Sequence, residues 1–239
     1  LTNHFETKIN TFLGQLLTEN TIESTYKSNI ATIWKDRVAK HQEYTARIPF
    51  SDFKVFDFIC QNVPKNSQLQ VSNSSAIRYL QLFDLDNTVQ VFCNRGTSGI
   101  DGSTSTAIGS ALASDLPTML ITGDISFLYD SNALWNNYIP KNFKIILLNN
   151  SGGGIFRILP GHQETETFNT YFETSHQLNA LHLAKMYGFD YYTATDEDSL
   201  KTSYKSFLNQ NNKPCILEIF TPEKSNNKIL LDFFGALKK

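Results

Sequence analysis

The chain has 239 residues, 41% of them apolar, enough for one large domain or one domain with an appendage. A formal net charge of −2 leaves no electrostatic footprint for nucleic acid or for an anionic membrane, and no apolar run approaches the roughly 18 residues that span a bilayer. Cys60, Cys93 and Cys215 read as thiols of a reducing, cytoplasmic compartment, two of them inside apolar runs, and the five histidines show no metal-ligand spacing.

Residues 1–46 stand apart from the rest. They carry few strand signals, and Ile22, Tyr26, Ile30, Ile33, Trp34 and Val38 approximate one stripe of a helix. The spacing predicts two helices that lean on another body, with a second region over 47–239. The chain opens LTNHFETK, with neither an initiator Met nor a signal peptide, as expected of a piece of a longer polypeptide.

From Ile48 helix and strand alternate. SDFKVFDFICQNV has Ser51 as an N-cap and a helical apolar face. Strands are predicted at 68–73, 89–94, 117–124, 144–150 and 214–222. Helices are predicted at 102–114, 129–138, 176–187 (stopped by Gly188) and 197–210. The strands are continuous apolar runs, as expected where both faces of a sheet are covered. The predicted fold is therefore α/β, an open, mostly parallel sheet with helices on both faces and a helical segment before it.

In such a sheet ligands bind at the carboxyl ends of the strands. Four polar tips follow strands here: SNSS, CNRGTSG, TGDIS and LNNSGGG. Asp124 ends one strand, and Asn149 and Asn150 end the next, so parallel neighbours would bring them side by side. A carboxylate with an amide oxygen is a hard-oxygen set suited to Mg²⁺, which completes its shell with phosphate and water. Glycines at 152–154 allow close backbone approach, and helix N-termini after GD and GGG would face an anion. Either motif alone also reads as a helix cap or a flexible loop. A phosphate-binding α/β domain without catalysis is the alternative from another class. A dinucleotide site is disfavoured, because no GxGxxG follows the first strand.

Gly-Asp, two dozen residues, then Asn-Asn resembles the signature of thiamine-diphosphate enzymes. NRGTSGIDGSTSTAIG, GDISFLYDSNAL and NNSGGGIFRILPG together resemble, more narrowly, the MenD family, the 2-succinyl-5-enolpyruvyl-6-hydroxy-3-cyclohexene-1-carboxylate synthases of menaquinone biosynthesis. The resemblance covers about 48–239, that family's diphosphate-binding (PP) domain. It implies that thiamine diphosphate and Mg²⁺ (or Mn²⁺) bind, with Asp124, Asn150 and the carbonyl of Gly152 on the metal. Ile125 and Ser126 would hold the diphosphate, Thr97, Ser98 and Gly99 would line the aminopyrimidine, and Gly123, Asn150 and Gly153 would also contact the cofactor.

Ile100 by itself is either a core residue beside a turn or a wedge between the cofactor's rings; the resemblance implies the wedge. Arg78 and Arg95 by themselves read first as surface ion pairs. The resemblance makes them, with Ser74, partners of substrate carboxylates, because a guanidinium fork donates two parallel hydrogen bonds. Ile155, Phe156 and Leu159 would flank the reacting carbons; Arg157 receives no role.

The implied reaction decarboxylates 2-oxoglutarate and adds the succinyl unit to isochorismate. The activating glutamate would come from the N-terminal domain of a neighbouring subunit in a homodimer or homotetramer. No segment here matches that domain, so this chain by itself is expected to be inactive and to expose an apolar patch. Another thiamine-diphosphate enzyme, acting on pyruvate, is the nearest rival.

Overall fold

A computed structural model describes residues 4–19 and 25–238. Two compact units divide it, Leu1–Gln42 and Glu43–Lys239. Helix α1 (Ile9–Glu19) lies in the first unit, and α2 (Tyr26–Arg47) runs from the first into the second. Tyr26, Ile30, Ile33 and Trp34 are exposed on α2; Ile22 lies outside the described residues.

The second unit is built on six strands: β1 (Gln68–Val71), β2 (Gln90–Cys93), β3 (Thr118–Gly123), β4 (Lys144–Asn149), β5 (Asp190–Ala194) and β6 (Cys215–Phe220). Their order is β2-β1-β3-β4-β6-β5, and every pairing is parallel. The α-helices of this unit are α3 (Asp52–Asn62), α4 (Ser75–Leu80), α5 (Ser103–Ala113), α6 (Asp124–Tyr129), α7 (Leu181–Tyr187), α8 (Glu197–Asn209) and α9 (Asn226–Ala236). Successive strand residues point to opposite faces. Ile146 and Leu148 of β4 join a cluster with α3, α4, α8 and α9. Ile145 and Leu147 join a second cluster with α5, α6 and α7. Both faces are covered, which is why β4 is buried along its whole length.

The predicted strands are present, each one to three residues shorter than expected. β5 was not predicted; its Tyr-Tyr run is half-buried at an edge and lacks the continuous apolar pattern. The predicted helix at 129–138 is corrected. The α-helix starts directly at Asp124 and stops at Tyr129, and a short 3₁₀ turn follows over Ser131–Trp135. Asp130 breaks the run because its carboxylate accepts from the backbone N–H and hydroxyl of Ser105 (both 2.7 Å). It thereby caps α5, whose own N-cap is Gly102. The predicted helix at 176–187 begins only at Leu181. The backbone of His176 donates instead to Ser151 O (3.1 Å), pinning 174–180 along the tip of β4. Ser51 caps α3 and Gly188 ends α7 at φ 76°, as expected.

Phe53 of α3 is fully buried among the rings of Tyr44, Tyr79, Phe83 and Phe233. Phe53→Ala is expected to cost about 3–5 kcal/mol of unfolding free energy. Leu112→Ala, at a side chain 49% exposed, should cost less than about 1 kcal/mol. Urea unfolding of both variants checks this; equal losses would contradict the assigned core.

Candidate functional site

β1, β3 and β4 lie side by side, with Val71 paired to Ile121 and Gly123 to Leu148. Strand order reverses between β1 and β3, the position at which open α/β sheets form a crevice. A cavity of about 250 Å³ opens there. Ser74, Ile100, Gly123, Asp124, Ile125, Ser126, Asn150, Gly152, Gly153, Ile155 and Phe156 all line it. Thr97, Ser98, Gly99, Arg78, Arg95 and Leu159 do not; Leu159 lines a neighbouring shallow groove with Phe156 and Phe172.

Asp124 is the first residue of α6 and is buried. Its Oδ1 accepts from the N–H of Ile125 (2.7 Å) and its Oδ2 from the N–H of Gly152 (3.0 Å). The second bond joins the tips of β3 and β4. Behind it, His176 Nε2 stands 3.4 Å from Asp124 Oδ2, and that carboxylate raises the imidazole pKa. The hydroxyl of Ser126 donates to the carbonyl of Ile100, tying the start of α6 to the SGID turn.

The two asparagines face different partners. Asn149 Nδ2 donates to the buried carboxylate of Glu218 (2.7 Å) and to Leu178 O (2.9 Å), while its Oδ1 accepts from Ser151 N–H (3.1 Å). Asn150 Nδ2 donates to Asp52 Oδ2 (2.9 Å) beside the cavity. Burial pushes the Asp52 carboxyl up to about 6, despite the hydrogen bonds from Thr221 and Asn150 that favour its charged form.

Arg78, in the last turn of α4, and Arg95, just past β2, are both exposed. Arg78 Nη1 donates to Ser74 O (2.8 Å) and Arg95 Nη1 to Asn73 Oδ1 (3.0 Å). Neither forms an ion pair with a carboxylate among the described residues, so both forks keep donors for an anion from outside. Arg157, by contrast, is buried and ion-paired to Glu173 and Glu164. It clamps the 3₁₀ turn Gly154–Ile158 to the π-helical segment Phe168–Glu173, whose end roofs the cavity.

Among the described residues no three His, Cys, Asp or Glu side chains stand together as a metal group. A cation here would rest on one carboxylate with amide and backbone oxygens, the donor chemistry of Mg²⁺. The glycine-rich turn fits close packing against such a group. Gly152 has φ 152°, and a Cβ on it would lie 2.7 Å from the carbonyl oxygen of Glu173. Ser74, Ser151 and Thr174 also hold positive φ around the cavity (71°, 65° and 53°), backbone that is costly for a residue with a side chain.

Residues 73–219 match the family described as thiamine pyrophosphate enzyme, C-terminal TPP binding domain. The chain belongs to that family. It is 61% identical over 238 residues to a 2-succinyl-5-enolpyruvyl-6-hydroxy-3-cyclohexene-1-carboxylate synthase of Flavobacterium psychrophilum, covering 99% of this chain and 43% of the relative. Proteins of the same name from Bacteroides fragilis and Porphyromonas gingivalis are 42% and 38% identical. Those matches cover 80% and 81% of this chain, and 35% and 34% of the relatives. The chain thus spans about two fifths of the length of the curated relatives it matches.

In this thiamine pyrophosphate-binding domain, sequence reasoning missed Asn73, Asp52 and His176. Asn73 is buried and ties the tip of β1 to the loop after β2: its Nδ2 donates to Asn94 O and to Gly99 O (2.7 Å), and its Oδ1 accepts from Arg95. Its position inside SNSS was the available signal. Asp52 directly follows the N-cap Ser51, and only the fold brings it to Asn150. His176 sat inside a helix that does not extend that far.

Gly152→Ala should destabilise the ligand-free chain by more than about 1 kcal/mol, since its backbone conformation and the roof both exclude a side chain. Gly123→Ala, where an added Cβ meets open space, should change stability by less than about 0.5 kcal/mol. Thermal unfolding of both checks the pair; an unaffected Gly152→Ala protein would contradict the geometry.

Proposed function

We propose that this chain is the cofactor-diphosphate-binding region of a longer thiamine-diphosphate-dependent synthase. The reaction decarboxylates 2-oxoglutarate and adds the succinyl unit to isochorismate, in menaquinone biosynthesis. The observation that carries this is the 61% identity, across 99% of the chain, to a protein named as that synthase. The cavity at the strand tips supports it physically.

Asp124 and Asn150, with the carbonyl of Gly152, would hold Mg²⁺ or Mn²⁺. Gly123, Ile125, Ser126 and Gly153 would pack against the diphosphate, the helix start at Asp124 offering N–H groups to it. Ile100 would wedge the cofactor bent, and Thr97, Ser98 and Gly99 would approach its aminopyrimidine. Thiamine diphosphate, when bound, supplies the carbon nucleophile and the electron sink for decarboxylation.

The protein's own part is orientation and exclusion of water. Arg78 and Arg95, with the Ser74 hydroxyl, would clamp substrate carboxylates. Ile155, Phe156 and Leu159 would keep the reacting carbons dry. The activating glutamate would reach the site from the N-terminal domain of a neighbouring subunit, in a homodimer or homotetramer. Free cysteines fit a cytoplasmic location; burial pushes the thiols of Cys60 and Cys215 up to about 12 and about 11, which suits packing and not chemistry. No helix among the described residues is long and apolar enough to cross a membrane.

The test follows isochorismate absorbance in the complete synthase. Its loss should require Mg²⁺, thiamine diphosphate and 2-oxoglutarate together. Asp124→Ala should lower the rate more than the about 100-fold that bounds loss of an outer-sphere partner. Arg95→Ala should raise KM for 2-oxoglutarate roughly 10- to 100-fold, the worth of a charge-assisted pair. Consumption of pyruvate in place of 2-oxoglutarate would overturn the substrate assignment, and inertness to both would overturn the reaction.

A further inference from the structure

Asp52 is the first residue of α3, where an acid ordinarily faces solvent and complements the helix dipole. Here its carboxylate is 3% exposed and both oxygens are taken by residues outside its own helix. Oδ1 accepts from the Thr221 hydroxyl (2.6 Å), just past β6, and Oδ2 accepts from Asn150 Nδ2 (2.9 Å), just past β4. Its backbone N–H donates to Asn226 Oδ1 (2.9 Å) at the start of α9. Asn226 Nδ2 in turn donates to Pro222 O (2.8 Å) and to Thr221 Oγ1 (3.4 Å).

The direction of every bond in this ring is forced. A backbone N–H can only donate, so Asn226 must turn its carbonyl oxygen to Asp52. Its NH₂ then faces the Pro222 carbonyl, which can only accept, and the Thr221 oxygen. The Thr221 hydrogen is left for Asp52. An ionised carboxylate only accepts, so the edge of Asn150 that meets it must be the NH₂. The Asn150 carbonyl oxygen is then the remaining polar end of an amide that lines the cavity.

We propose that Asp52 is a positioning residue for the cation: it fixes the Asn150 amide so that oxygen, and not nitrogen, is presented at the strand tips. The inference rests on the reading of Asn150 as a ligand and adds the residue that sets its orientation. An asparagine amide can flip, and only one of its two faces binds a cation. Asp52→Asn removes the constraint, because the new amide can offer its own NH₂ to the Asn150 oxygen and turn the Asn150 nitrogen toward the cation.

The measurement is Mn²⁺ uptake by the full chain in the presence of thiamine diphosphate, read from the resonance of free Mn²⁺, with thermal unfolding in parallel. Asp52→Asn should weaken Mn²⁺ binding about 10- to 100-fold, the usual effect of losing an outer-sphere partner. The exchanged pair Asp52→Asn with Asn150→Asp should recover most of that loss. In it the amide at 52 donates to the carboxylate at 150, which keeps an oxygen for the metal. The exchanged pair also serves if the single variant does not fold. Wild-type affinity in a folded Asp52→Asn chain overturns the positioning role, as does a folded exchanged pair that binds no better than the single variant. A wild-type chain that takes up no Mn²⁺, or an Asn150→Ala chain that takes up as much as wild type, overturns the cation reading and this proposal with it.

Discussion

All six strands of the sheet run parallel, and that shared direction decides where a site can form. It sends every carboxyl end to one edge of the sheet. The backbone groups there have left the ladder and need other partners, because buried polar groups without hydrogen bonds are costly. Side chains supply them. Asn73 bonds the carbonyls of Asn94 and Gly99, and Asp124 bonds the N–H of Gly152. The same side chains that finish the sheet, Asn73 and Asp124, also line the cavity.

The adjacent asparagines after β4 show how alternation divides labour. Asn149 points to the face holding Glu218, whose carboxylate also accepts from Ala180 N–H (2.9 Å) and the Tyr191 hydroxyl (2.5 Å). Three donors thus reach the two oxygens of that buried acid, as a buried polar group requires. Asn150 turns to the cavity and to Asp52. One amide holds the 174–180 segment against the sheet, and the other lies at the ligand edge. The Arg157–Glu173 pair closes the cavity from above; the contribution of such a pair to stability is small or negative against an apolar substitute, so its effect is mainly geometric.

Much of this was legible in the sequence. Continuous apolar runs marked β1, β3, β4 and β6, which are buried, and also β2, which is instead an exposed edge with Val91 and Phe92 open to solvent; the polar ends of those runs marked the edge where a ligand would sit. Asp124 and Asn150 were legible because both follow strands directly, and strand ends are fixed by pattern. What was not legible came from long range. Asp52 and Asn150 are 98 positions apart, and Asp52 and Thr221 are 169, so no local spacing connects them. β5 escaped because an edge strand needs no continuous apolar run. The helix expected over 129–138 failed because Asp130 is recruited by α5, and the one expected from 176 failed because His176 is tied to Ser151. In each case a tertiary bond outweighed local preference.

On the proposed reading, the tips of β3 and β4 hold a cation and a diphosphate. Crystals of the chain grown with Mn²⁺ and thiamine diphosphate test it most directly, through an anomalous difference map. A single strong peak is expected beside the side chains of Asp124 and Asn150, with the diphosphate near the start of α6. Diphosphate bound elsewhere, or a metal peak away from these two residues, would contradict it.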